Sequence, residues 1–425
     1  MHKRALLLLC VFAPAPLSAA GFGLFQHGGR GAAQAGAFVA RADDPSAVRY
    51  NPAGVARLDG FQFEAGLDFA APKDQLDSRD RSDLAHHVIQ FPAALYATWN
   101  PAGLELPLTF GLSLDSPFWT IENWDTALFP GRFDTMRQEA TFFELRPTVA
   151  WAINEHWSLG GSLRYVSGAF ETSFATVEPF VVGPQNILAI ETHTEAASQI
   201  DGLGFDLGVQ YSAADWGWGA VFGSGVALDG GGDMEHFPRD PISDPAVEAA
   251  FNRRFARSSV NMNFELPPTA STGFWWALSD ALKLEVDAYF SGWSALDRTQ
   301  IEMDSNPFYY CCANAVDRER NWKDVVGARL GAEWTLSPTW ALGGGLAYEP
   351  SPVPDATIEP GFPQGDALIY AFGASYNLPG LSFDAGYSYH QYDDRKAYLY
   401  NFEFPNQGTY SSRSQVFSIS ARWRR

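Results

Sequence analysis

The sequence predicts an all-β chain: a transmembrane antiparallel β-barrel of about 14 strands whose lumen holds an N-terminal plug, or hatch. Three observations predict it. Period-two alternation of apolar and polar residues recurs in segments of about ten residues, the length a tilted strand needs to cross a bilayer. The connections alternate between tight turns and long polar loops, the arrangement of an outer-membrane barrel. Tryptophans gather at strand ends beside the tight turns, where an interfacial girdle belongs.

The chain starts with a secretory signal. His2, Lys3 and Arg4 form a charged region, residues 5–17 an apolar one, and Ser18-Ala19-Ala20 a small-residue cleavage site. Two prolines and the short length exclude a membrane anchor. The expected organisation is a signal peptide over 1–20, a hatch over 21–58 and a barrel over 59–425.

Residues 21–58 lack alternation and are rich in Gly and Ala, so they suit tight packing inside a narrow lumen. Asn51-Pro52-Ala53-Gly54 interrupts regular structure and hands the chain to the first strand. There Phe61, Phe63, Ala65, Leu67 and Phe69 share one face, and Gln62, Glu64, Gly66 and Asp68 the other. Thirteen further segments follow: 88–100, 106–116, 139–153, 157–170, 198–212, 215–228, 257–279, 281–295, 321–336, 339–350, 366–378, 380–393 and 411–424. Trp151, Trp157, Trp216, Trp218, Trp334 and Trp340 sit at their ends. The last segment closes on alternating Phe417, Ile419, Ala421 and Trp423. A soluble β protein would also alternate, but its apolar face would be a core.

A formal net charge of −20 over 425 residues excludes nucleic acid as a partner. Adjacent Cys311 and Cys312 make no disulfide framework; a vicinal disulfide and a neutral local detail are both open. His86 and His87, near Asp83, would point apart on a strand, so no metal is expected. Asp240, Asp244 and Glu248 read as a solvated loop face, with divalent cations at a lipopolysaccharide surface as the other reading. No serine–histidine spacing suggests a nucleophile, so neither an enzyme nor a cofactor is expected.

The stretch AAGFGLFQHGGRGAAQAGAFVARADDPSAVRYNPAGVARLDG resembles the start of the FadL/TodX-type transporters of long-chain fatty acids and other hydrophobic compounds. LPLTFGLSLDSPFW, LRPTVAWAINEHWSLGGSLRYVSG, DAYFSGWS and the long run from NWKDVV through SPVP to residue 366 extend the resemblance over nearly the whole mature chain. It implies a monomeric 14-stranded barrel in the Gram-negative outer membrane, plugged by a hatch. Ligand enters hydrophobic pockets from outside and leaves sideways into the membrane, through an opening made by a kink in the third strand. Long-chain fatty acids are the expected cargo, with aromatic hydrocarbons the alternative and a general porin less favoured. The expected partners are this hydrophobic cargo, outer-membrane lipid and lipopolysaccharide.

The resemblance assigns Asn51, Pro52 and Ala53 to the hatch motif at the lateral opening. Gly111 and Pro117, the latter paired with Ser116, are the kink candidates, because Gly removes a side chain and Pro a ladder hydrogen bond. Phe22, Leu24 and Phe25 either touch ligand or anchor the plug. Phe118, Trp119, Trp124 and Phe129, with Leu128 and Phe133, are many apolar residues for one exposed loop and are the capture-groove candidates. A fatty acid brings a carboxylate, for which Arg30, Arg41, Arg146 and Arg164 are candidates.

Overall fold

A computed structural model describes residues 27–78, 81–87, 89–101, 107–124, 128–183, 186–305, 307–308, 315–399 and 406–425. The signal region, Phe22, Leu24, Phe25, Cys311 and Cys312 lie outside the described residues.

Fourteen antiparallel strands close into a barrel. They are β1 (Phe61–Ser78), β2 (Ala93–Trp99), β3 (Leu108–Asn123), β4 (Arg137–Ala152), β5 (Trp157–Gly183) and β6 (Asn186–Ser212). The seventh, β7, is broken into Trp216–Gly223 and Val226–Pro238, and β8 into Ser258–Leu266 and Thr269–Ala277. Then come β9 (Leu282–Ser291), β10 (Val325–Thr335), β11 (Trp340–Glu349), β12 (Ala367–Leu378), β13 (Leu381–Tyr392) and β14 (Asn406–Arg424). Short strands such as Arg81–Leu84, Arg298–Met303 and Arg395–Leu399 extend the wall at the long-loop end. Closure is the β1–β14 ladder, running from Gln62–Arg424 to Ser78–Gly408. All fourteen expected segments fall on these strands.

The alternation acts as it must in a membrane. On β5, Trp157, Leu159, Leu163 and Tyr165 are exposed, while Ser158, Ser162 and Arg164 are buried. On β6, Leu203, Phe205 and Leu207 face out, and Asp206 and Gln210 face in. The apolar side is therefore the outer wall and the polar side the interior, the reverse of a soluble sandwich. Beyond Tyr165 the outward residues become Ser167, Ala169 and Glu171; on β6, below Leu203 in sequence, they are Asp201, Gln199 and Glu195. The apolar band is thus about nine residues tall on each strand, which matches one bilayer crossing. β5 and β6 are each 27 residues long, so they continue well past it.

The tight turns are built by side chains of small polar residues. Asn154 Oδ1 accepts from the backbone N–H of His156 and Trp157 at 2.9 and 2.8 Å. Ser279 Oγ accepts from Ala281 and Leu282, and Ser337 Oγ from Thr339 and Trp340. Each supplies the turn acceptor that a two-to-four-residue reversal lacks. The β12–β13 turn instead uses Gly380 at φ 76°, where a Cβ would be strained. Trp157, Trp216, Trp334 and Trp340 flank these turns, all exposed.

Candidate functional site

Residues 27–58 are almost wholly buried, and their polar partners come from strands all around the barrel. The segment forms two short helices, α1 (Gly29–Ala33) and α2 (Ala47–Tyr50), and a 3₁₀ helix at Pro52–Arg57. Helices this short do not hold themselves, so tertiary bonds must fix them. Asp287 on β9 accepts from the N–H groups of Phe38 and Val39 at 2.8 and 3.0 Å. Glu285 on the same strand accepts from Ala40 and Arg41 at 2.7 and 3.2 Å. Gln210 on β6 donates to the carbonyls of Ala40 and Arg41. Ser420 on β14 accepts from Gly29 N–H at 3.1 Å. Inward carboxylates and amides of the wall thus satisfy backbone groups that the irregular segment leaves free.

Asn51 is fully buried and does two jobs. Its Oδ1 accepts from Ala53 N–H at 3.1 Å, capping the 3₁₀ helix, and Pro52 sits at the first helical position. Its amide donates to the carbonyls of Val39, at 3.0 Å, and Val209 on β6, at 3.2 Å. So the amide is spent on its own segment and on β6 rather than on β3. Glycine in the wall makes room for this. A Cβ on Gly160 would stand 2.3 Å from the Pro52 carbonyl carbon, and one on Gly208 would stand 2.3 Å from Asn51 Oδ1.

The segment reaches β3 through α2. Arg49 donates to Asp115 at 3.0 Å, and Asp115 is fully buried. Gly111 admits Val48, whose Cγ2 would lie 2.7 Å from a Cβ there. Pairing at Gly111 is regular on both sides, with Thr98 and Thr148 as partners. The β3–β4 register shifts instead between Asp115 and Phe118, across Ser116-Pro117. The β2–β3 ladder stops at Ala94–Asp115. Among the described residues, Ser116 and Pro117 lie in the shift and 118–122 pair with β4 alone, so the wall loses its ladder on the β2 side here. A proline that cannot donate, placed at a bulge, fits that interruption.

The four capture candidates do not share one pocket. Phe118 joins a large interior apolar cluster and lies edge-on to Trp293, ring centroids 6.5 Å apart. Trp119 packs edge-on against Phe143, whose ring is exposed on the outer face. Trp124 and Phe129 stack at 5.0 Å in a separate cluster with Leu76 and Tyr410, and the Trp124 indole donates to the Pro360 carbonyl at 2.9 Å. Leu128 is exposed.

Sequence reasoning missed most of the large cluster. It holds Phe174, Phe180, Phe251, Phe255, Phe308, Trp322 and Phe362. Phe251 and Phe255 come from α3 (Pro245–Arg254) and its end, in a loop that reads as acidic and solvated. The signal was present. Asp244 caps α3, accepting from Ala246 N–H at 2.8 Å, with Pro245 at the first position. Val247, Phe251 and Phe255 then recur every fourth residue and share one face.

The four arginines considered for a ligand carboxylate are paired. Arg30 binds Glu333 and Asp43; Arg41 binds Gln34 and lies 3.7 Å from Glu285. Arg146 and Arg164 both bind Glu144, at 2.7 and 2.5 Å. These four guanidiniums are therefore already engaged by protein carboxylates. A different pair borders the apolar cluster. Arg318 and Arg320 both bind Glu359, and their guanidiniums lie over Phe174 and Phe362, 5.2 and 5.3 Å from the ring centres. Burial alone would raise the Glu359 carboxyl, but the two guanidiniums hold it below the usual glutamate range.

The comparisons fit this architecture. The model of the family described as outer membrane protein transport protein (OMPP1/FadL/TodX) matches residues 10–424. A long-chain fatty acid transport protein of Escherichia coli O6:H1 is 22% identical over 418 residues, covering 91% of this chain and 90% of its own. The crystal structure of a Pseudomonas aeruginosa FadL homologue superposes with a TM-score of 0.82 at 19% identity, covering 95% of this chain and 100% of that one. The Ralstonia pickettii toluene transporter TbuX superposes at 0.69 with 16% identity, covering 95% and 100%.

Proposed function

Since the chain belongs to the OMPP1/FadL/TodX family of outer membrane transport proteins, we propose that its cargo is a long-chain fatty acid, captured in the apolar interior and released sideways through the wall. It is a transport channel for hydrophobic compounds in the outer membrane of a Gram-negative bacterium, not an enzyme.

The observation that carries the fatty-acid reading is the Arg318–Glu359–Arg320 group beside Phe174 and Phe362. Two guanidiniums share one carboxylate at the edge of an apolar cluster. An amphipathic acid suits that place: two guanidiniums against one carboxylate leave one positive charge over, so the ligand carboxylate joins the group beside Glu359 with its tail among the rings. Each methylene buried contributes about 0.8 kcal/mol, so the tail supplies most of the affinity.

In this reading residues 21–58 are a hatch, and Asn51, Pro52 and Ala53 keep it seated beneath the interruption in β3. The interruption at Ser116-Pro117 is the lateral gate. Its support is the lost ladder above Asp115 and the Arg49–Asp115 bond that ties hatch to gate. Sideways release keeps the cargo apolar-solvated throughout, whereas passage through a wet lumen would forfeit the gain of capture. The buried segment across the interior also weighs against a general porin, which needs an open lumen.

Aromatic hydrocarbons are the second reading. The pairing of Arg30, Arg41, Arg146 and Arg164 with protein carboxylates favours it, since a neutral ligand asks for no cation. Uptake of labelled oleate and labelled toluene by cells carrying the chain decides between them. Oleate uptake that falls in Arg318→Gln–Arg320→Gln supports the acid; toluene uptake indifferent to that change supports the hydrocarbon.

A further inference from the structure

Three groups that the transport reading does not use meet at the long-loop end of the wall. Asp74 lies on β1, Glu122 near the end of β3, and His87 in the non-strand stretch between β1 and β2. Each directs one ligand atom to a common point, and these atoms all lie within 4.8 Å of one another. Two histidines in a row would point apart on a strand. His86 and His87 do point apart: His87 turns its ring inward while His86 stays exposed, and the other two ligand atoms come from β1 and β3 instead of from a second histidine.

From this geometry we propose a divalent transition-metal site, of the zinc class, held by Asp74, His87 and Glu122. Four observations carry it. Asp74 and Glu122 are 1% and 2% exposed, and two buried carboxylates side by side call for positive charge. His87 Nε2 lies 3.0 Å from Asp74 Oδ2 and 3.8 Å from Glu122 Oε2. Tetrahedral ligands at zinc distances stand about 3.3 Å apart, so small adjustments seat the ion. Glu122 Oε2 has no hydrogen-bond partner among the described residues, and the close His87 Nε2–Asp74 contact is not a hydrogen bond. Finally, the groups behind these atoms are already oriented. His87 Nδ1 lies 3.2 Å from the Ile121 carbonyl; donating there leaves the Nε2 lone pair facing the carboxylates. Gln364 donates to Glu122 Oε1 at 2.9 Å, and the Ser412 hydroxyl donates to Asp74 Oδ1.

The imidazole separates this site from a magnesium or calcium site, which would be all oxygen. A cation here would join β1 to β3 above the place where β2 stops pairing. It would bridge the two strands beyond the interruption and leave the interruption itself open.

The test uses the full chain, folded in detergent and stripped with a chelator. Zinc titration followed by calorimetry and metal analysis is expected to give one tightly bound ion per chain. His87→Ala and Glu122→Gln are each expected to weaken that site at least 100-fold. Heat-modifiable gel mobility reports that both variants keep the barrel. Zinc is also expected to raise the unfolding temperature of the parent chain and not of either variant. Absence of saturable zinc binding in the parent would overturn the proposal, as would parent-like affinity in folded variants. Equal binding of calcium or magnesium, indifferent to His87→Ala, would overturn it too.

Discussion

Arg49 of the buried N-terminal segment donates to Asp115 at 3.0 Å, and Asp115 is the last β3 residue before the register shifts. The bond joins the interior segment to a wall position where pairing changes. Removing one partner of such a buried pair leaves an unpaired charge, at a cost of about 3–5 kcal/mol. Arg49→Met and Asp115→Leu should each lower the unfolding temperature and oleate uptake, and the double variant should recover stability but not uptake. Thermal unfolding in detergent and uptake in cells read the two effects. Full uptake in the stable double variant would remove the bond from the gating reading.

Asn51→Ala deletes a helix cap, worth about 1 kcal/mol, and the bond to Val209. Gly160→Val leaves Asn51 intact but drives a side chain into Pro52. Both should loosen the segment in the same way, which protease accessibility at residues 52–57 would report. Unequal effects, with only Asn51→Ala altering uptake, would assign the amide itself a role.

Deleting Ser116 should restore a continuous β3–β4 register. Barrel folding, read by gel mobility, should persist while uptake falls at least tenfold. Unchanged uptake would move the exit elsewhere.

The carboxylate reading makes a chemical distinction. Arg318→Gln–Arg320→Gln should reduce affinity for oleate at least tenfold, about 1.4 kcal/mol, and leave the affinity for a fatty alcohol of the same length within about twofold. Binding of a fluorescent fatty acid and its alcohol to the purified chain measures both.

Acid should weaken the same group. Because the Glu359 carboxyl titrates below the ordinary glutamate range, its pairing is fully present above that range and is lost only as pH falls through the lowered value. Glu359→Gln should therefore flatten the acid limb of an unfolding-temperature profile.

The membrane-crossing part of the fold was legible because lipid enforces strict alternation. Leu203, Phe205 and Leu207 have one permitted direction, so their spacing reads directly. Above the bilayer that rule lapses. Glu171 and Gln199 face water instead of lipid, and the strands run on without the pattern that would mark their length. The interior aromatic cluster was hidden for another reason. It assembles from Phe118, Phe174, Phe255, Trp293 and Phe362, each ordinary in its own segment and brought together only by closure. The Asn51 motif was visible as a break, but its β6 partner came from a wall glycine and a carbonyl that no local pattern marks.

The length of β5 has a consequence for where cargo is met. Residues 166–183 continue past the apolar band. At about 3.3 Å per residue and roughly 40° of tilt, they rise about 45 Å above it. Phe174 and Phe180, both turned inward, therefore stand roughly 23 and 38 Å above the band. On the proposed route a greasy molecule would meet a dry surface at that height, before it reached the bilayer. Its journey inward would then run along the interior face of β5 and β6.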